Sequence, residues 1–166
     1  MGIEIERRFL ISNEDWKSQI ILREDFDQAY LNSKEYEWST RIRIIDNKKA
    51  YITLKSSLNK SINHEFEYSI PRKDAIELIQ LSKYKITKIR YQLKINKKNW
   101  VVDVFEESNS CLKIAEIELN SESEEIQVPS WCGKEITGIK SLSNASLAKA
   151  PISELSVKDR IKIKSF

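Results

Sequence analysis

Hydrophobic and polar residues alternate along much of the chain. Near the start, Ile3, Ile5 and Phe9 fall on one side and Glu4, Glu6 and Arg8 on the other. This two-residue period is that of a strand, and it predicts one over residues 3–11. The same pattern predicts strands over 26–31, 39–45, 50–56, 64–70, 86–95, 99–105 and 113–119. Asp46-Asn47-Lys48 and Asn96-Lys97-Lys98 carry turn chemistry between neighbouring strands and read as hairpins. Residues 57–61 read as a loop, and Pro71 ends a strand. Ala75, Ile76, Ile79 and Leu81, with Asp74 near the start, predict a helix over 72–83. Shorter helices are expected over 13–21, 121–126 and 142–149. Residues 152–166 mix charge with isolated apolar positions and receive no element. The sum is an α+β chain of about eight strands with a few short helices.

The chain has 166 residues, which suits one domain. Hydrophobic residues make up 40%, enough for a core, but 32% are charged. So much charge in a small domain calls for a polar interior as well as a polar surface. Twenty-eight basic and 25 acidic residues leave a net charge of +3, too balanced for a duplex nucleic-acid binder. Cys111 and Cys132 lack metal-ligand spacing and are expected as reduced, packed thiols. No stretch approaches the ~20 apolar residues of a membrane helix. Glu4, Glu6, Arg7 and Arg8 break any apolar leader, so a cytoplasmic protein without membrane partners is expected. The tryptophans are expected in packing, and His64, the sole histidine, in a surface or hydrogen-bonding role.

The strand charges change this picture. A single Glu-x-Glu is the ordinary solvated side of a strand. Here Glu4/Glu6, Glu65/Glu67 and Glu116/Glu118 are acidic pairs at strand spacing, and Arg41/Arg43 and Lys88/Arg90 are basic ones. Arg8, Lys55 and Asp103 add single charges. Residues two apart on a strand share a face, and about eight strands can close into a barrel. If the charged faces share that interior, the result is a tunnel of both signs. Crowded carboxylates repel unless cations neutralise them. Hard divalent metals bind such carboxylates together with phosphate oxygens, and arginines and lysines complement a polyanion. The pattern therefore points to a metal and polyphosphate site.

Glu4-Ile5-Glu6-Arg7-Arg8-Phe9-Leu10-Ile11 resembles the N-terminal Glu-x-Glu-x-Lys signature of the CYTH superfamily, the triphosphate tunnel metalloenzymes. The resemblance continues in order through Arg41-Ile42-Arg43, Thr53-Leu54-Lys55-Ser56, Glu65-Phe66-Glu67, Lys88-Ile89-Arg90-Tyr91, Val102-Asp103-Val104-Phe105 and Ala115-Glu116-Ile117-Glu118-Leu119. It ends in Pro129-Ser130-Trp131-Cys132-Gly133-Lys134-Glu135-Ile136-Thr137 and Asn144-Ala145-Ser146-Leu147-Ala148. It implies a tunnel domain over residues 1–150, an eight-stranded antiparallel β-barrel with a few short peripheral helices, followed by a C-terminal extension over 151–166.

The resemblance further implies that Glu4, Glu6, Asp103, Glu116 and Glu118 hold Mg²⁺ or Mn²⁺, as two ions. It assigns triphosphate binding to Arg8, Arg41, Arg43, Lys55, Lys88, Arg90 and Lys140. Glu4, Glu6, Arg8, Glu65 and Glu67 form the catalytic set. Short bacterial members with this layout are similar to inorganic triphosphatases, so the expected activity is metal-dependent phosphoanhydride hydrolysis of inorganic triphosphate or a related triphosphate. A nucleotide is the alternative small-molecule partner, and a homodimer is compatible with such a barrel. Two departures keep other readings open. Arg8 stands in the lysine position. Ile139-Lys140-Ser141-Leu142-Ser143-Asn144 replaces a run like Asp-Lys-Arg-Tyr-Lys-Asn, matching only at Lys140 and Asn144. The alternatives are a non-catalytic nucleotide or polyphosphate sensor and a class IV-like adenylate cyclase.

Overall fold

The computed structural model describes residues 2–31 and 38–154. Nine antiparallel strands form one sheet: β1 (Gly2–Ile11), β2 (Ile20–Tyr30), β3 (Trp38–Ile45), β4 (Lys49–Ser57), β5 (Ile62–Ser69), β6 (Tyr84–Ile95), β7 (Lys98–Phe105), β8 (Lys113–Glu118) and β9 (Cys132–Glu135). They lie in the order β5-β4-β3-β2-β6-β7-β8-β1-β9. A further pairing of β5 with β1 closes eight of them into a barrel and removes the open edges. β1 is shared along its length: its first residues pair with β5, while Phe9 and Ile11 pair with β9.

Two tight hairpins set the register. Asp46 and Asn47 have φ of 49° and 52°, and Asn96 and Lys97 have φ of 50° and 66°. Two successive left-handed residues give a turn whose twist matches that of the flanking strands.

The barrel carries its apolar packing mainly outside the charged interior. Helix α1 (Arg72–Leu81) lays Ala75 against Ile42, Ile44 and Ala50 on β3 and β4. On the opposite side Phe9, Trp16, Leu93, Trp100, Val102, Ala115, Ile117 and Trp131 form a second cluster. A third cluster plugs one end of the barrel. It joins Leu10, Tyr30, Ile86, Phe105 and Ile114 to Ile136, Leu142, Leu147 and Ala148. Leu147 and Ala148 come from α2 (Asn144–Lys149), whose start is capped by Ser143 Oγ accepting from the Ser146 amide.

Several expectations need correction. Residues 13–21 form only a 3₁₀ turn over Asp15–Gln19, because Trp16 is its single buried anchor; Ile20 already belongs to β2. Residues 121–126 form no helix beyond one turn. The run Ser121-Glu122-Ser123-Glu124-Glu125 has no apolar stripe to bury, and the Glu124 carboxylate accepts the Asn120 amide at 2.6 Å. The helix over 142–149 is split into a 3₁₀ turn at Lys140–Leu142 and α2. The 72–83 helix stops at Leu81. β9 was not anticipated. Of the 151–166 extension, Ile152 is buried against the plug and its amide bonds Asn109 Oδ1 at 3.0 Å; residues 155–166 lie outside the described residues. Among the described residues no helix is long and apolar enough to cross a membrane.

Candidate active site

On β1, β6 and β8 the inward face changes character along its length. On β1, Glu4, Glu6 and Arg8 line a cavity and Leu10 follows in the plug. On β8, Glu118 and Glu116 give way to Ile114; on β6, Gln92 and Arg90 give way to Lys88 and then Ile86. The period-two side-chain alternation keeps each set on one face, and the β1–β8 register sets Arg8 against Glu116 and Leu10 against Ile114. The charged part encloses about 1190 Å³.

One wall is acidic. The Lys55 ammonium meets Glu4 Oε2, lies 3.2 Å from Glu65 Oε2 and 3.7 Å from Glu6 Oε1. Asn63 Nδ2 donates to Glu4 Oε2 at 3.0 Å. Glu118 stands directly across from Glu6 in the β1–β8 register. Burial, then the charge of Glu6, pushes Glu4 up to about 7 despite Lys55. Burial likewise raises Glu6. Burial alone would lower Lys55, but Glu6, Glu4 and Glu65 together raise it.

A second part of the lining is a ladder of ion pairs. Arg90 Nε and Nη2 donate to the two Asp103 oxygens, each at 2.7 Å, and Nη2 also reaches Glu116 Oε2 at 2.8 Å. Arg8 Nε donates to Glu116 Oε1 at 2.9 Å. The Lys88 ammonium caps Asp103 Oδ2 from behind. Burial would raise Glu116, but Arg8, Arg90 and Lys88 hold it far below the usual carboxylate range. Burial pushes Lys88 down to about 8 against the pull of Asp103. A third group joins β3, β4 and β5: Glu67 accepts from Arg43 Nη2 at 2.6 and 2.7 Å and from Thr53 Oγ1 at 2.7 Å. The Nε atoms of Arg41 and Arg43 are buried without hydrogen-bond partners.

All the residues singled out in the sequence line the cavity except Glu67, Lys88 and Asp103. Those three stand behind it, and Asp103 is 0% exposed. Tyr30, Thr53 and Asn63 also line it but carry no charge, and the sequence assigned none of them a role. Register could have found them, since Tyr30 and Thr53 sit beside Arg41, and Asn63 sits beside Glu4.

Among the described residues no three acidic, histidine or cysteine side chains converge as metal ligands; the acids are drawn to the cations of the walls. The donor chemistry nevertheless suits a hard cation. Three carboxylates share one ammonium, and Glu65 Oε2 is buried without a hydrogen bond. The negative charge in excess of that one ammonium is what an oxygen-binding divalent ion neutralises.

The CYTH domain model matches residues 2–150. The chain belongs to the CYTH family. It is 35% identical over 153 residues to an inorganic triphosphatase of Acetivibrio thermocellus, covering 91% of this chain and 96% of that one. It superposes on the crystal structure of the inorganic triphosphatase NE1496 with a TM-score of 0.64 and 28% identity, covering 87% of this chain and 93% of that one. An adenylyl cyclase candidate of Hippeastrum, described as having a dominant triphosphatase activity, shares the fold. Its TM-score is 0.54 at 16% identity over 73% of this CYTH chain and 80% of that one.

Proposed function

We propose that this CYTH protein is a metal-dependent phosphoanhydride hydrolase acting on inorganic triphosphate. The observation that carries the reading is one cavity lined both by the acids Glu4, Glu6, Glu65 and Glu118 and by the cations Arg41, Arg43, Lys55 and Arg90. The identity to an inorganic triphosphatase along nearly the whole chain supports it. Tyr30 is the only aromatic side chain among the lining residues, so the described wall offers no broad stacking platform for a base, and this favours an inorganic chain over a nucleotide.

In this reading Glu4, Glu6, Glu65 and Glu118 hold two Mg²⁺ or Mn²⁺ ions. When bound, the metal would neutralise charge on the phosphoryl oxygens and lower the pKa of a water. Arg41, Arg43, Arg90, Lys55 and Lys140 bind the phosphate oxygens and fix the chain for in-line attack, since positioning and electrostatics supply most of the catalysis in phosphoryl transfer. Asp103 and Glu116 hold Arg90 in place, and Glu67 does the same for Arg43. Their ion pairs are made before substrate arrives, so little reorganisation is required during reaction.

A phosphate-release assay with Mg²⁺ and with Mn²⁺ on tripolyphosphate, thiamine triphosphate and ATP tests the proposal. Tripolyphosphate is expected to be the best substrate. Tight binding of all three with turnover of none would instead establish a sensor.

A further inference from the structure

Arg8 lines the cavity, yet its side chain is only 8% exposed and faces the closing segment as much as the cavity. Nε donates to Glu116 Oε1 at 2.9 Å, and Nη2 donates to the Leu142 carbonyl at 3.1 Å in a buried contact. The backbone engages the same segment: Arg8 N donates to Thr137 Oγ1 at 3.0 Å, and Ile136 N donates to Arg8 O at 2.8 Å. Between these anchors the chain folds through two turns, with Leu142 N bonding Ile139 O at 3.0 Å and Ser143 N bonding Lys140 O at 3.1 Å. Those turns present Lys140 to the cavity. Lys140 is paired with no acid among the described residues, so its charge is available to an anion.

We infer that Arg8 is a positioning residue that fastens the Ile136-to-Ser143 segment to Glu116 and thereby holds Lys140 at the cavity, rather than a ligand of the phosphate chain. The planar guanidinium reaches two acceptors in different directions from separate nitrogens, whereas a lysine ends in one. The two places where the sequence departs from the family signature, Arg8 and the 139–143 run, thus meet in one hydrogen bond.

The inference rests on the triphosphatase reading only for its kinetic arm. The first arm is amide hydrogen exchange of the chelator-treated protein, which needs no activity. Arg8→Lys and Arg8→Gln should each speed exchange across residues 139–147 by about tenfold or more, the effect of losing a charged hydrogen bond on local opening. The second arm compares tripolyphosphate kinetics of Arg8→Lys, Lys140→Ala and the double variant. Each single change should raise KM by about tenfold with kcat little altered, and the double variant should be no worse than either. Exchange at the wild-type rate in both Arg8 variants would overturn the inference. So would KM effects that multiply in the double variant. If Arg8→Gln does not fold, Arg8→Lys carries both arms. Wild-type protein that turns over no tripolyphosphate would sink the functional reading, while the exchange arm would still decide the role of Arg8.

Discussion

Asp103→Asn separates structural acids from acids available to a metal. Asp103 is 0% exposed and its two oxygens hold Arg90 and Lys88. Asparagine keeps the shape but removes the charge and turns a donor toward two cations. Breaking one side of a buried ion pair costs about 3–5 kcal/mol. For a chain of this size Tm falls by about 2–4 °C per kcal/mol, so the chelator-treated variant should melt roughly 6–20 °C below wild type. The pH dependence adds a second constraint. Lys88 is already pushed down to about 8 by burial, below its unfolded value. Folding therefore sheds its proton between those two values, and stability from this group rises with pH across that window. Without Asp103 the folded value drops further, the variant gains this relief at lower pH, and the Tm gap should narrow from pH 6 to pH 8. Calorimetric melts at both pH values measure it. A gap below about 2 °C at pH 6, or loss only of metal-induced stabilisation, would show that Asp103 belongs to the metal set and not to the wall's framework.

The acidic wall should behave in the opposite sense. Glu4 is raised to about 7 by burial and by Glu6, so its stabilising contribution is complete below the unfolded carboxylate value and is lost as pH rises through 7. Chelated wild type should thus lose Tm between pH 5 and pH 8, and Glu4→Gln should flatten that slope; an unchanged slope would contradict it. The thiols should also differ. Cys111 is exposed, whereas burial pushes Cys132 up to about 12, so a thiol reagent at pH 7.5 should label one cysteine in the folded protein and two after denaturation.

Much of the fold was legible because the strands alternate cleanly. Glu4, Glu6 and Arg8 could be assigned to one face of β1 from spacing alone. Depth along the barrel was not legible. Arg90 and Lys88 share a face by sequence, but only the register with β7 sets Arg90 against Asp103 and Lys88 against Phe105, behind the cavity. β9 escaped because Cys132-Gly133-Lys134-Glu135 has no apolar alternation; backbone pairing to β1 holds it. The 121–126 segment misled because its charged residues suit a helix by propensity, while a local bond of Glu124 to Asn120 and a tertiary one to Lys98 take it elsewhere. The bond from Arg8 to the Leu142 carbonyl was not legible either, because it joins residues far apart in the chain.

The central claim is that the acids on β1 make this cavity a hydrolytic site. The most direct test is phosphate release from tripolyphosphate, in Mg²⁺ and in Mn²⁺, by wild type and Glu6→Gln, with melting curves on both. Because burial already raises Glu6, the amide should not weaken the chelated fold. The expected result is turnover by wild type, a loss of about 100-fold or more in Glu6→Gln, and equal or higher Tm for the variant. A Glu6→Gln protein as active as wild type would contradict the account.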